Sequence, residues 1–242
     1  DIPHNPYCSA VTGKYVLDLS QISNFKVYFW KSTDNPTNPP TKNDAIQYEI
    51  THYSTFALDW STNQKEQLKK SLDIFTTFTG TTSTIVNDYA SCDIVCVLLD
   101  KVEGDDAYVG ACYDPKDLVN IPEFVDNKLI VLMNNLYIDS EDIYEGGYMY
   151  NVFIHEFGHA FGLAHPHDKS LDSNVMPAIA YKKIFNYPAI AGYIQNNVFN
   201  TVMTYVNTKF FMPANDIIST NKIGYPQTIM PLDALALRWM YN

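Results

Sequence analysis

The chain has 242 residues, a length that fits one large domain or two small ones. Hydrophobic residues make up 46% and charged residues 18%, which is typical of a folded globular protein and excludes a disordered chain. The formal net charge of −11 argues against nucleic acid or an anionic membrane as the main partner. Only 10 residues are glycine, which excludes collagen and glycine-rich calcium-binding β-roll repeats.

Hydrophobic periodicity and turn signals predict the following elements after an irregular start. In chain order they are strands at 26–30 and 45–53, a helix at 62–78, strands at 93–99, 107–113 and 129–133, and helices at 148–161 and 233–240. The first helix should begin after Ser61 and end at Gly80. This order predicts an α/β or α+β layered fold with a coil-rich lower part. We expect one domain over 1–242, with an upper subdomain at about 1–163 and a coil-rich lower one at about 164–242.

No apolar run in the sequence approaches the roughly 20 residues needed to cross a bilayer, so we expect no membrane span. No basic stretch followed by an apolar segment, the pattern of a signal peptide, begins at Asp1. We therefore expect a mature form whose secretion signal was removed or never existed.

The four cysteines, Cys8, Cys92, Cys96 and Cys112, predict at least one disulfide and an oxidising compartment. Four residues along a strand span about 13 Å, whereas the Cα atoms of a disulfide lie within about 7 Å of each other. A Cys92–Cys96 bond is therefore disfavoured, and each of these two would pair with Cys8 or Cys112. The alternative is four reduced, buried thiols in a cytosolic protein.

Residues 155–166 carry the most informative pattern, His-Glu-Phe-Gly-His-Ala-Phe-Gly-Leu-Ala-His-Pro. His155 and His159 are four residues apart on a predicted helix, so their imidazoles leave the same face and can share one metal ion. Gly162 can adopt a positive φ, which ends the helix and returns His165 to the same ion. Three neutral nitrogen ligands leave an open position, as a catalytic zinc site requires.

Glu156 follows the first ligand and is placed to take a proton from a zinc-bound water. Two other interpretations of the histidines are core residues without a metal and a closed structural zinc site. Both leave Glu156 without a role, so we favour a catalytic site.

The motif resembles that of the metzincin metallopeptidases, in which HExxH extends to a third histidine and a methionine turn lies downstream. Met203, in Thr-Val-Met-Thr-Tyr, resembles the methionine beneath the metal, and Tyr205 resembles the tyrosine that serralysins and astacins use as an extra zinc ligand. Pro166, directly after the third histidine, is similar to the serralysin branch. The closest resemblance is thus to a serralysin catalytic domain without its C-terminal β-roll.

This resemblance implies a five-stranded mixed, twisted sheet with one antiparallel edge strand, an active-site helix, and a lower part with the Met-turn and a C-terminal helix. The segment Ala107, Tyr108, Val109, Gly110 and Ala111 resembles that edge strand, which would pair with an extended substrate. Gly110 would let the substrate backbone approach closely. Glu156 would act as base and acid, and Tyr205 would leave the metal and donate to the oxyanion.

We therefore expect a secreted, extracellular zinc-dependent endopeptidase that is monomeric and acts on polypeptide substrates. The alternatives are a zinc amidase of narrow specificity, for a peptidoglycan or a small peptide, and a non-catalytic module that binds peptides. One catalytic Zn²⁺ is the expected cofactor. Calcium at the acidic cluster Asp100, Glu103, Asp105 and Asp106 has no further support, and a solvated loop is favoured there.

The remaining partner classes are a removed propeptide or a protein inhibitor. His167 and Asp168 are expected in a solvated turn, and the alternative is that Asp168 accepts a hydrogen bond from a ligand histidine and orients its ring.

Overall fold

Helices pack against one face of a mostly parallel β-sheet in a computed structural model of the chain. The described residues are 5–13, 17–34, 57–100, 109–113, 128–138, 142–167, 171, 173–174, 176, 196–205 and 225–241. Within them the mixed α+β fold that the sequence predicts is confirmed. None of the described helices is both long and apolar enough to cross a membrane.

The described part of the sheet has six strands. They are β1 (Asn24–Phe29), β2 (Ala57–Leu58), β3 (Thr82–Val86), β4 (Ile94–Leu99), β5 (Gly110–Tyr113) and β6 (Leu129–Asn134). The order is β3-β1-β4-β6-β5, and the two-residue strand β2 pairs with the end of β4. The pairs β3–β1, β1–β4 and β4–β6 are parallel, whereas β5 runs antiparallel to β6.

The expected sheet of five strands with an antiparallel edge strand is thus present, and β2 is an addition to it. Strand β3 was not predicted, because its threonine- and serine-rich sequence lies on the exposed edge and lacks a buried apolar run. The predicted strand at 45–53 lies outside the described residues.

Strands β4 and β6 are buried along their whole length, as their unbroken apolar sequences predict. Alternate side chains of these strands enter two different core clusters, one on each face of the sheet. The larger cluster lies between the sheet and the helices, and it places the sheet directly against the helix that carries the histidines.

Five α-helices accompany the sheet in the described residues. They are α1 (Pro6–Ala10), α2 (Thr62–Thr79), α3 (Asn135–Ile138), α4 (Tyr148–Ala160) and α5 (Pro231–Tyr241). Helix α2 begins with a capping box, in which Ser61 and Gln64 each accept the other's backbone N–H. It ends at Gly80, whose φ of 73° is left-handed, so both predicted ends are confirmed.

Phe161 joins the helical layer to the sheet. Its ring stacks on Phe75 of α2 at 5.2 Å between centroids and lies 5.4 Å from Phe25 of β1. The chain therefore leaves α4 at a fixed point of the core, immediately before the turn that leads to His165.

Two sequence predictions are wrong in this part of the molecule. Residues 1–25 are not irregular throughout, since Asn5 caps helix α1 and Pro6 occupies its first position. No disulfide joins any of the four cysteines, all of which lie in the described residues. Cys96 lies on β4 in the large cluster whereas Cys92 belongs to the small one, so the two face different cores.

Candidate metal centre and active site

Helix α4 carries the first two predicted metal ligands. Phe153 and Phe157 are fully buried in the core and fix the rotation of the helix. The same helix carries His155, Glu156 and His159 close to these two phenylalanines. His155 and Glu156 are themselves buried. The core packing therefore holds the two imidazoles and the carboxyl in set positions relative to the sheet.

The structure brings the three predicted histidine ligands together. The Nε2 atom of His165 lies 3.1 Å from Nε2 of His155 and 3.0 Å from Nε2 of His159. Three nitrogens bound to one tetrahedral zinc ion at 2.0–2.1 Å would be about 3.3 Å apart. The three histidines thus form a group that could hold a metal ion.

Backbone carbonyls determine which nitrogens face the centre. The Nδ1 atom of His155 lies 2.9 Å from the Val202 carbonyl oxygen, and Nδ1 of His159 lies 2.9 Å from that of Leu163. A carbonyl only accepts, so both Nδ1 atoms carry the proton and both Nε2 atoms present a lone pair. Lone pairs that converge on one point fit a cation better than any hydrogen bond among the three rings.

Burial, followed by the neighbouring His159 and His165, lowers the pKa of His155 well below its usual range. The imidazole is therefore neutral at neutral pH, which is the form that binds a metal.

Gly162 returns the chain to the centre, as predicted. Its φ is 84°, the Leu163 N–H donates to the Gly158 carbonyl, and the Gly162 N–H donates to that of His159. This is a Schellman turn, which ends α4 and reverses the chain so that His165 faces His155 and His159.

The loop 201–205 forms the floor of the site. The Val202 carbonyl orients His155, and the buried Met203 packs against α4 at Gly158. A Cβ built at Gly158 would lie 2.5 Å from the Met203 sulfur. The missing side chain at Gly158 therefore allows Met203, the predicted Met-turn methionine, to pack directly against α4 between the positions of His155 and His159.

Asp233 of helix α5 holds this loop in place. Its carboxyl accepts hydrogen bonds from the Thr201 hydroxyl and from the backbone N–H groups of Val202 and Met230. Burial raises the pKa of Asp233 to about 6, against the lowering effect of these three donors. The carboxyl thus fixes the peptide whose carbonyl orients the first ligand. The sequence analysis missed this residue, because nothing in its position on α5 indicates a contact 31 residues away.

Glu156 follows His155 on α4, and its side chain contacts the edge strand β5. A Cβ built at Gly110 would lie 2.9 Å from Cγ and 3.0 Å from Oε1 of Glu156. Gly110 therefore makes room for the Glu156 side chain, which differs from the expected role of admitting a substrate backbone. Burial raises the pKa of Glu156 to about 8, so the carboxyl can hold a proton near neutral pH.

Strand β5 forms one edge of the described sheet and pairs with β6. The Asn134 N–H donates to the Val109 carbonyl, so the pairing continues through Val109. Gly110 and Ala111 lie on this edge strand as predicted, whereas Ala107 and Tyr108 lie outside the described residues.

Tyr205 reaches the centre from the loop. Its hydroxyl lies 3.0 Å from Nε2 of His165, and the residue is 56% exposed. His167 is buried, and its ring stacks on His165 at 5.0 Å and contacts Tyr205 at 4.6 Å. The expectation of a solvated turn is therefore wrong for His167, and Asp168 lies outside the described residues.

A model of the family described as metallo-peptidase family M12B, reprolysin-like, matches residues 24–166. This match covers more than half of the chain and includes the three histidines and Glu156. The chain belongs to this family and is thus a zinc metalloendopeptidase of the metzincin type. The match does not support the serralysin-like branch expected from the sequence. A comparison with curated proteins found no match.

Replacing Asp233 tests its hold on the loop. We expect Asp233→Ala to lower the free energy of unfolding by about 3 kcal/mol, because it leaves buried donors without an acceptor. Asp233→Asn should cost less, since the amide oxygen still accepts from the two N–H groups and the amide can donate to Thr201. Denaturant unfolding of the metal-free variants measures both values, and equal losses would contradict the assignment.

The pH dependence of the free energy of unfolding, compared between the wild type and Asp233→Asn, gives a second test. In the unfolded chain Asp233 should lose its proton near pH 4, whereas the folded chain keeps it to about pH 6. The folded state binds the extra proton in this window. The stability of the wild type relative to Asp233→Asn should therefore fall as the pH rises from about 4 to about 6.

A methyl group at Gly110 should displace Glu156 and leave the metal ligands in place. We expect Gly110→Ala to bind zinc normally and to cleave a peptide at least about 10-fold more slowly, because Glu156 loses its position. Zinc titration and cleavage rates measure the two effects. Ile85→Ala is the control, because Ile85 is exposed on β3 at the opposite edge of the described sheet. An unchanged cleavage rate in Gly110→Ala would show that the contact between Gly110 and Glu156 does not position Glu156 for catalysis.

Proposed function

We propose that this metallopeptidase cleaves extended polypeptides internally, with Glu156 as the general base and acid and with Tyr205 as a hydrogen-bond donor. The observation that carries the proposal is the contact of the Glu156 side chain with Gly110 of the edge strand β5, at the position on α4 that directly follows the metal-site residue His155. A carboxyl in this place is close both to a metal and to a peptide paired with the strand.

His155, His159 and His165 would hold the zinc ion that the family implies. When bound, zinc polarises the scissile carbonyl and makes water a stronger nucleophile near neutral pH. Glu156 takes a proton from the attacking water at a carboxylate oxygen and returns it to the departing amine. The buried surroundings of Glu156 keep its pKa high enough for the second transfer.

Tyr205 is proposed to stabilise negative charge on the carbonyl oxygen of the substrate. Its hydroxyl lies beside Nε2 of His165. Tyr205 itself is an exposed loop residue at the rim of the site. A phenol in this position can donate a hydrogen bond that becomes stronger as charge develops. The contacts between the Tyr205 ring and those of His155 and His165 support a defined orientation.

The edge strand supports a polypeptide as the substrate. β5 is an edge strand of the described sheet, and an edge strand can accept an extended peptide as a further strand through main-chain hydrogen bonds. Such pairing positions a peptide bond independently of its side chains, which suits an endopeptidase better than an amidase for one small substrate.

Three finer assignments belong to the same proposal. Pro166 supports the serralysin-like branch, and a polypeptide substrate supports the extracellular location. A monomer acting without nucleic acid or membrane partners agrees with the net charge of −11.

Glu156→Gln tests the proposed base. The amide keeps the shape of the side chain but does not accept the proton, so casein cleavage should slow by about 10²-fold or more. Zinc content should remain one ion per chain, because the three histidines are unchanged. Glu145→Gln, an exposed glutamate paired with Lys70, is the matched control and should cleave normally.

Cleavage by Glu156→Gln at the wild-type rate would contradict the role of the base. A wild-type protein that binds zinc and does not cleave casein would favour the narrow amidase or the peptide-binding module.

Tyr205→Phe tests the proposed donor. Loss of one hydrogen bond to the developing oxyanion should lower kcat by about 10²-fold. KM and zinc affinity should change little, because the three nitrogen ligands and the edge strand remain. A change confined to zinc affinity would instead show that Tyr205 acts mainly as a ligand.

A further inference from the structure

A short antiparallel pairing connects the N-terminal segment, residues 5–13, to the turn that follows the active-site helix. Thr12 forms a β-bridge with Leu163. The Gly13 N–H donates to the Gly162 carbonyl at 2.8 Å, and the Ala164 N–H donates to the Val11 carbonyl at 3.1 Å. The family match begins at residue 24, so this segment lies outside it.

The paired turn lies between the second and third histidine ligands. The Leu163 carbonyl orients His159 by accepting from its Nδ1 atom, and Ala164 directly precedes His165. A displacement of residues 162–164 would therefore move the groups that orient two of the three imidazoles.

The N-terminal segment is itself firmly anchored. Cys8, Ala10 and Val11 are fully buried in the large core cluster. The Asn5 side chain caps α1, and the Thr12 hydroxyl donates to the Cys8 carbonyl at 2.9 Å. The segment can therefore act as a rigid support and not merely as a covering strand.

Gly13 has no space for a side chain at the contact. A Cβ built there would lie 2.7 Å from the Gly162 carbonyl oxygen and 3.0 Å from the Leu171 Cβ. Because the first of these atoms is backbone, a substitution must push the turn away. The closing helix supports the same turn, since the Tyr241 hydroxyl donates to the Phe161 carbonyl and accepts from the Leu17 N–H.

We propose that the N-terminal segment is a positioning element of the metal centre, which holds residues 162–164 so that His159 and His165 meet His155 at the geometry zinc requires. This inference rests on the proposed metal-dependent function, and it adds to the peptidase domain a support that the family-matched region does not contain. The segment contacts neither substrate nor metal and acts through the turn.

The test compares zinc affinity in three variants of the full chain by competition with a chromogenic chelator. Gly13→Ala should bind zinc about 10-fold more weakly, the usual effect of losing a group that orients a ligand. Tyr241→Phe should shift affinity in the same direction, and it decides the question if Gly13→Ala does not fold. Val27→Ala, a core change in β1, is the control for general destabilisation and should retain wild-type affinity.

The absorption spectrum of the cobalt-substituted protein provides a second readout. Its bands depend on ligand geometry, so Gly13→Ala should change them and Val27→Ala should not. Affinity and spectra in both turn variants that equal those of Val27→Ala would overturn the proposal.

The same measurements separate this inference from the proposed function. A wild-type chain that binds no zinc would overturn both. A wild-type chain that binds zinc without cleaving peptides would overturn the endopeptidase assignment alone, and a selective loss of affinity in the turn variants would still support the positioning element.

Discussion

The rest of the site depends on three converging imidazole nitrogens, two of which lie about 3 Å from the third, Nε2 of His165. Two of them present lone pairs because their other nitrogens donate to carbonyls. Lone pairs repel one another at such distances, so the rings need firm supports whenever no cation lies between them. The loop at 201–205, the Schellman turn and the N-terminal pairing supply these supports.

The supports come from parts of the chain that are distant in sequence. Asp233 on the last helix fixes the peptide that orients His155, while Val11 and Gly13 fix the turn that orients His159. The α4 helix alone would set the relative position of His155 and His159, but not the rotation of either ring. Accurate ring orientation thus requires the packed domain, in which Gly13 and Tyr241 both contact the turn at residues 161–162.

Local patterns in the sequence predicted the parts of this site that depend on local geometry. The spacing of His155 and His159 on a helix, the turn at Gly162 and the capping of α2 by Ser61 all follow from interactions within a few residues. Met203 and Tyr205 came from a resemblance, and the structure places both at the site. The branch assignment that rested on the same resemblance is not supported by the family match.

Contacts between distant segments could not be predicted in the same way. No periodicity indicates that Gly110 faces Glu156, that Gly158 accommodates the Met203 sulfur, or that Asp233 accepts from Val202. The cysteine count favoured a disulfide, which the structure does not contain. Cys92 and Cys96 are instead buried in separate core clusters. Strand β3 was missed because an exposed edge strand has little apolar signal.

The converging histidines also make zinc a ligand for the folded state. The unfolded chain has no such centre, so bound zinc should stabilise the fold through mass action, by about 1.4 kcal/mol for each tenfold excess over the dissociation constant. The lifetime of the folded enzyme would then follow the free zinc concentration around it. In zinc-poor surroundings, the protein would lose its peptidase activity and part of its resistance to unfolding. It would then also be cleaved more readily by other copies of the enzyme.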